Sequence, residues 1–186
     1  MNVWATILSV MLTLTAARSD ADAPSASLYD LAIELIDQSA GAKPFDVYRG
    51  EVVLVTMFYG SCPMACPLLI DSVRAVESAL TPAERQRVRV LMVSIDPDRD
   101  TPQALAALAK QRRIDLARWT VARASHEDVR MLAAALDIQY RRLPNGEYNH
   151  TSVISVLTPE GRLVKQTSIL GRADPELVSA IRGVLH

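Results

Sequence analysis

Residues 52–67 have the sequence VVLVTMFYGSCPMACP, in which an apolar run of eight residues leads into both cysteines of the chain. The run at 52–59 is rich in β-branched side chains and apolar on both faces, which is typical of a strand buried inside a sheet. From Pro67 the apolar residues recur at helical spacing, and proline suits the first position of a helix. Cys62 and Cys66 are therefore predicted to lie where a buried strand gives way to a helix.

The rest of the chain alternates strand and helix patterns. Further strands are predicted at 88–95, 119–122, 153–157 and 163–167. Helices are predicted to begin at residues that cap helices, namely Thr101, Ser125 and Asp174. The last two strands flank the turn-forming sequence TPEG and should form a β-hairpin. This order predicts a three-layer α/β protein with a mixed sheet, a parallel core and an antiparallel C-terminal hairpin.

Two regions give weaker patterns. Apolar residues alternate at 31–35, which favours a half-buried strand, although a short helix also fits. Residues 45–48 are predicted to be a short extended segment that pairs with it as a hairpin. Residues 143–149 are polar and rich in turn-forming residues, so we expect a loop there.

The composition limits which class of protein this chain can be. The chain has 186 residues, 49% of them hydrophobic, and a formal net charge of −1. That is enough to bury one core without the help of disulfides. The near-neutral charge and the short, scattered basic clusters give no electrostatic attraction to nucleic acid, so no nucleic-acid partner is expected.

The N-terminal residues predict export. Residues 3–17 are apolar or small and carry no charge, and small residues at 15–17 resemble a signal-peptide cleavage site. The run is shorter than the roughly 20 residues that a spanning helix needs. We therefore predict an export signal or short N-terminal anchor at 1–17, a linker at 18–27 and one domain at 28–186. A periplasmic or otherwise exported location follows, and a retained anchor would hold the domain at the outer face of the inner membrane.

An exported pair of cysteines has three interpretations. A structural disulfide is the least favoured, because closing a loop over three residues removes little entropy from the unfolded chain. Cys62 and Cys66 could instead be a soft ligand pair for Cu(I) or Zn, with thiolate favoured by the helix N-terminus. They are equally suited to cycling between dithiol and disulfide. The spacing by itself does not choose between the last two.

A third ligand would favour metal binding. The only histidines are His126, which is predicted in the first turn of a helix, His150, which precedes the 153–157 strand, and His186 at the chain end. A lone loop histidine is more often a surface residue than a ligand, so spacing makes His150 only a candidate.

The carboxyl end of the 88–95 strand carries three aspartates. Ligands bind at the carboxyl ends of parallel strands, so Asp96 is expected near Cys62 and Cys66. Asp98 and Asp100 fit ordinary turn chemistry ahead of a capped helix.

Three stretches together resemble the Sco/SenC family of copper chaperones for cytochrome c oxidase assembly. They are residues 56–67, residues 93–102 with the sequence VSIDPDRDTP, and His150 followed by PEGR at 159–162. The resemblance covers 28–172 and implies a thioredoxin-like fold. It also implies a copper site for Cu(I), and for Cu(II) as a further state.

On the matching positions the resemblance makes Cys62, Cys66 and His150 the copper ligands. It implies that Asp96 does not bind the metal itself and at most lies next to those ligands. The implied partners are a copper-accepting subunit of cytochrome c oxidase and a copper donor or thiol–disulfide partner. The implied function is a metallochaperone rather than an enzyme, and the family's role as a thiol–disulfide reductant is compatible with it, so the main task of the dithiol is left open. The alternative is an exported thiol–disulfide oxidoreductase, which the absence of a proline just before the 153–157 strand disfavours.

Overall fold

The structure, a computed structural model, describes residues 26–62 and 65–186. The predicted export signal at 1–17 and most of the linker at 18–27 lie outside these residues. No helix among the described residues is long and apolar enough to cross a membrane.

Strands and helices alternate through the described residues as the sequence pattern predicts. The strands are β1 Glu34–Asp37, β2 Ala42–Pro44, β3 Val52–Phe58, β4 Val88–Ser94, β5 Trp119–Arg123, β6 Tyr140–Arg142, β7 Tyr148–His150, β8 Ile154–Leu157 and β9 Leu163–Thr167. The helices are α1 Ala65–Ser78, α2 Pro82–Gln86, α3 Pro102–Gln111, α4 His126–Ala135 and α5 Pro175–Leu185.

One mixed sheet forms the centre of the domain. Its strand order is β2-β1-β5-β4-β3-β8-β9. The central strand β4 pairs parallel with β3 on one side and with β5 on the other. Antiparallel pairs complete both edges, with β1 and β2 on one side and β8 and β9 on the other. All seven residues of β3 are buried, so the sheet is covered on both faces. The predicted α/β architecture with a parallel core and C-terminal hairpin is confirmed.

The predicted caps start three of the helices. Each cap side chain accepts a hydrogen bond from a backbone N–H of the first helical turn, which satisfies a donor that has no partner inside the helix. The three capping bonds join Thr101 Oγ1 to Ala104 N at 3.2 Å, Ser125 Oγ to Asp128 N at 3.0 Å, and Asp174 Oδ1 to Glu176 N at 2.9 Å.

Three local predictions were wrong. Phe45–Tyr48 is a short 3-10 helix rather than an extended segment, because its three-residue repeat buries both terminal aromatic rings. The partner of β1 is instead Ala42–Pro44. Helix α1 begins at Ala65, ahead of Pro67. The predicted loop at 143–149 is the turn and second strand of a hairpin, in which β6 and β7 pair antiparallel and bury ring surface between Tyr140 and Tyr148.

The described chain enters the domain at the end of the sheet opposite the cysteines. Leu28 N donates to Gly161 O at 2.9 Å in the β8–β9 turn, and this turn lies beside the start of β3. Gly161 has a φ of +81°, and any side chain there would overlap the ring of Tyr29. Seven residues of β3 separate this entry point from the thiol loop, a distance of about 20 Å.

Candidate metal-binding dithiol site

Both thiols are held at the junction between β3 and α1. The backbone carbonyl of Tyr59 accepts the N–H of Cys62 at 3.2 Å and the thiol of Cys66 at 3.0 Å. The two cysteines, both within the described residues, form no disulfide. Their thiols lie within hydrogen-bonding reach of each other. Cys62 is 8% exposed and Cys66 only 2%. The predicted strand-to-helix dithiol is therefore present.

The local environment of Cys66 opposes thiolate formation. Burial raises the pKa of the Cys66 thiol above its ordinary value, and the neighbouring Cys62 raises it further. The sequence predicted the opposite direction from the helix N-terminus. Burial outweighs the helix dipole here because the side chain is almost completely removed from water. Because a bare thiolate is disfavoured here, a soft metal ion suits the place of the thiol proton.

Asp100 fixes the backbone that leads into the dithiol. Its Oδ2 accepts the N–H of Gly60 at 2.8 Å and the hydroxyl of Ser94. Glycine is required at position 60, since a Cβ there would overlap this carboxylate. Burial raises the pKa of Asp100, although its hydrogen bonds act in the opposite direction. The carboxylate interpreted from sequence as turn chemistry thus supports the thiol loop.

Tyr59 connects the thiols to the hairpin that carries His150. Its side chain lies within hydrogen-bonding reach of Cys62, and burial together with this contact raises the pKa of Tyr59. Its hydroxyl donates to Tyr148 O at 3.4 Å. Its ring centroid lies 5.4 Å from that of Tyr148 and 5.7 Å from that of His150. Sequence reasoning missed this residue, because a tyrosine at the end of a buried strand looks like ordinary core.

His150 presents a neutral, buried ring nitrogen. Its Nδ1 lies 3.2 Å from the carbonyl oxygen of Thr151, which places the proton on Nδ1 and the lone pair on Nε2. Nε2 is buried and has no hydrogen-bond partner among the described residues. Burial lowers the pKa of His150, so the ring is uncharged at neutral pH. A buried imidazole nitrogen of this kind fits a metal ligand.

Asp96 supports the same hairpin instead of contacting the thiols. Its Oδ1 accepts the hydroxyl of Tyr148 at 3.4 Å, and its Oδ2 pairs with Nε of Arg99. Arg99 also donates to Gly146 O at 2.7 Å in the β6–β7 turn. Asp96 is therefore linked to the dithiol through Tyr148 and Tyr59, and also through its backbone, which bonds to Ser94 and Asp100.

The structure brings some of the predicted site residues together and separates others. Cys62 and Cys66 are adjacent, and His150 contacts the ring of Tyr59. Within residues 26–62 and 65–186, however, no three His, Cys, Asp or Glu side chains form a group ready to hold a metal ion. His126 is exposed and pairs with Asp98, at 3.0 Å.

Comparison with known proteins identifies the family. The SCO1/SenC family model matches residues 22–186. A human protein, the mitochondrial SCO1 homolog, is 29% identical over 126 residues, covering 63% of this chain and 40% of its own length. A Stutzerimonas stutzeri protein is 24% identical over 135 residues, covering 70% of this chain and 65% of its own length. The chain thus spans between two fifths and two thirds of these curated relatives.

Solved structures share the fold. Bradyrhizobium japonicum ScoI, solved with copper bound, superposes with a TM-score of 0.65 at 22% identity, covering 82% of this chain and 96% of that one. This likeness confirms the thioredoxin-like fold that the motifs implied. Given a family match over nearly the whole domain, the chain belongs to the SCO1/SenC family.

Proposed function

We propose that this chain is a copper-binding metallochaperone that assists assembly of the copper centre of cytochrome c oxidase. The observation that carries the proposal is the buried Nε2 of a neutral His150, which has no hydrogen-bond partner in the described part of the chain. His150 lies against Tyr59, whose carbonyl oxygen also holds both cysteines. Copper is the cargo in this proposal. Family membership and the copper-bound ScoI of Bradyrhizobium japonicum support it.

The donor set suits a soft ion. Two thiolates and one imidazole are preferred by Cu(I), and the same set accepts Cu(II). The burial that raises the pKa of Cys66 favours replacing its proton with a metal ion over leaving a bare thiolate. Because the three side chains do not form a ready coordination group, binding would draw the β6–β7 hairpin and the thiol loop together.

Location and partner follow from the same proposal. Residues 1–17 would direct the domain out of the cytoplasm, to the periplasm or the outer face of the inner membrane. The acceptor would be a copper-binding subunit of the oxidase, which must approach the thiol end of the sheet.

An anaerobic Cu(I) titration of the reduced protein tests the proposal. The wild type should bind one Cu(I), and Cys62→Ser, Cys66→Ser and His150→Ala should each weaken binding by about tenfold or more, since each removes one ligand. His126→Ala is the matched control, because that histidine is exposed and its Nε2 already pairs with Asp98. Equal affinity in His150→Ala and wild type would refute the three-ligand site.

A second candidate function is thiol–disulfide exchange, favoured by the contact between the two reduced thiols. Cys62, the more exposed thiol, would attack a client disulfide as thiolate, forming a mixed disulfide and releasing one client thiolate. Cys66 would then attack the mixed disulfide, closing the Cys62–Cys66 bond and releasing the second client thiolate. Two electrons pass to the client, and an external dithiol must reduce the pair again. Exchange that survives His150→Ala, in a protein that retains no copper, would favour this function over the first.

A further inference from the structure

A basic groove runs between α1 and the end of α3. Its volume is about 280 Å³. The groove is lined by Pro67, Ile70, Asp71, Arg74, Gln111, Arg112 and Arg113. Pro67 directly follows Cys66, so one wall of the groove begins at the second thiol. The single aspartate leaves two positive charges in excess.

Two of the three arginines have no ionic partner. Among the described residues, neither Arg112 nor Arg113 takes part in a salt bridge, whereas Arg74 pairs with Asp71 at 3.5 Å. Nε of Arg112 is buried and has no hydrogen-bond partner in the described part of the chain. A buried donor without an acceptor is uncommon in folded proteins. Asp71, the acidic residue in the lining, pairs with Arg74, so within the described residues the guanidinium groups of Arg112 and Arg113 stay available to an anionic ligand.

The groove is also held in shape before anything binds. The guanidinium of Arg74 donates to the carbonyl oxygens of Arg112 and Arg113 at the end of α3. Arg113 adopts a left-handed backbone conformation with a φ of +51°. Arg113 N donates to Lys110 O at 3.1 Å, which fixes this turn. Anchoring the backbone leaves the Arg112 and Arg113 side chains for an incoming ligand.

We propose that this groove seats a carboxylate-bearing segment of the protein that exchanges copper or electrons with the dithiol. The proposal rests on the proposed function, since a partner that reaches Cys62 and Cys66 must cover the surface next to them. Guanidinium groups match carboxylates through paired N–H donors. Two excess charges are too few for nucleic acid, which favours an acidic peptide.

The test uses amide NMR spectra of the isotope-labelled, reduced protein at low ionic strength. The probe is an acetylated, amidated peptide of four glutamates, and the matched probe has four glutamines. The glutamate peptide should shift resonances of residues 67–74 and 111–113. Arg112→Gln/Arg113→Gln should bind it about fivefold more weakly, as expected from losing two exposed charge contacts. The single Arg113→Gln should give an intermediate loss.

Arg49→Gln/Arg162→Gln is the control, because it removes the same charge from two exposed arginines that pair with Asp30 and Glu160 at the end of the sheet opposite the thiols. Equal weakening in both double variants would overturn the proposal, as would shifts confined to other surfaces. Inorganic phosphate that displaces the peptide at equal concentration would also overturn it, by showing a site for small anions. A Cu(I) titration of Arg112→Gln/Arg113→Gln should match wild type. Wild-type protein that binds the peptide but no copper would therefore contradict only the chaperone function.

Discussion

Asp100 offers the sharpest test of how the dithiol is supported. One oxygen of its 5%-exposed carboxylate accepts both the backbone N–H of Gly60 and the hydroxyl of Ser94. Asp100→Ala removes the acceptor from two donors. Asp100→Asn keeps an oxygen in the same place. The two variants thus separate the effect of the hydrogen bonds from the effect of the charge.

The expected free-energy changes follow from those contacts. A buried donor that loses its partner costs about 1–3 kcal/mol, so Asp100→Ala should lower the free energy of unfolding by about 2–5 kcal/mol. Burial raises the pKa of Asp100, which means that the site already disfavours its negative charge. Asp100→Asn should therefore cost about 1 kcal/mol or less.

Urea unfolding of the reduced, metal-free protein at neutral pH measures these differences. Asp98→Ala is the control on the same loop, because its side chain is 69% exposed and should change stability by no more than about 0.5 kcal/mol. If the Asp100→Ala protein proved as stable as the Asp98→Ala protein, the Asp100 carboxylate would not be what holds the turn. If the Asp100→Asn protein proved as unstable as the Asp100→Ala protein, the site would require the negative charge rather than the hydrogen bonds.

Two further predictions concern the frame of the domain. Hydrogen bonds and the 2.7 Å pair with Lys43 hold the pKa of Asp37 well below its usual range, against the opposing effect of burial. Asp37→Asn should lower the free energy of unfolding by about 2 kcal/mol at pH 7, and this deficit should shrink as the pH falls below about 4. Glu77, 5% exposed, pairs with Arg118 and accepts the indole N–H of Trp119 at 3.1 Å. Glu77→Ala should cost about 3 kcal/mol in the same urea assay, since it leaves a cation and a buried donor without their acceptor.

Each of these has a matched control. Asp30→Asn removes an exposed carboxylate that pairs with Arg49, and its effect on the free energy of unfolding should be small. A deficit in Asp37→Asn that grows as the pH falls would contradict the assigned direction of the pKa shift. Asp115→Asn removes the half-exposed partner of Arg118, so a loss equal to that of Glu77→Ala would contradict the importance of burial.

The sequence predicted those features that depend on local pattern. A strand that is apolar on both faces, a proline-led helix and a capping hydroxyl each leave a signature within a few residues, so the sheet core and most helices were predictable. The contact between Tyr59 and Tyr148 joins residues 89 apart, and no local pattern encodes it. The sequence ranked Asp96 over Asp100, although Asp100 is the one that bonds Gly60, because both lie in one loop and only tertiary packing decides which carboxylate faces that glycine.

The path of the chain has a practical consequence for studying this protein. Residue 28 is bonded to the β8–β9 turn, and Arg87, just ahead of β4, donates to Leu185 O at 2.7 Å, so both ends of the described chain lie far from the thiols. A resin, a fluorophore or a bilayer attached through either end would leave the thiol end of the sheet accessible to soluble partners. Immobilised protein should therefore capture soluble partners as efficiently as the untethered protein.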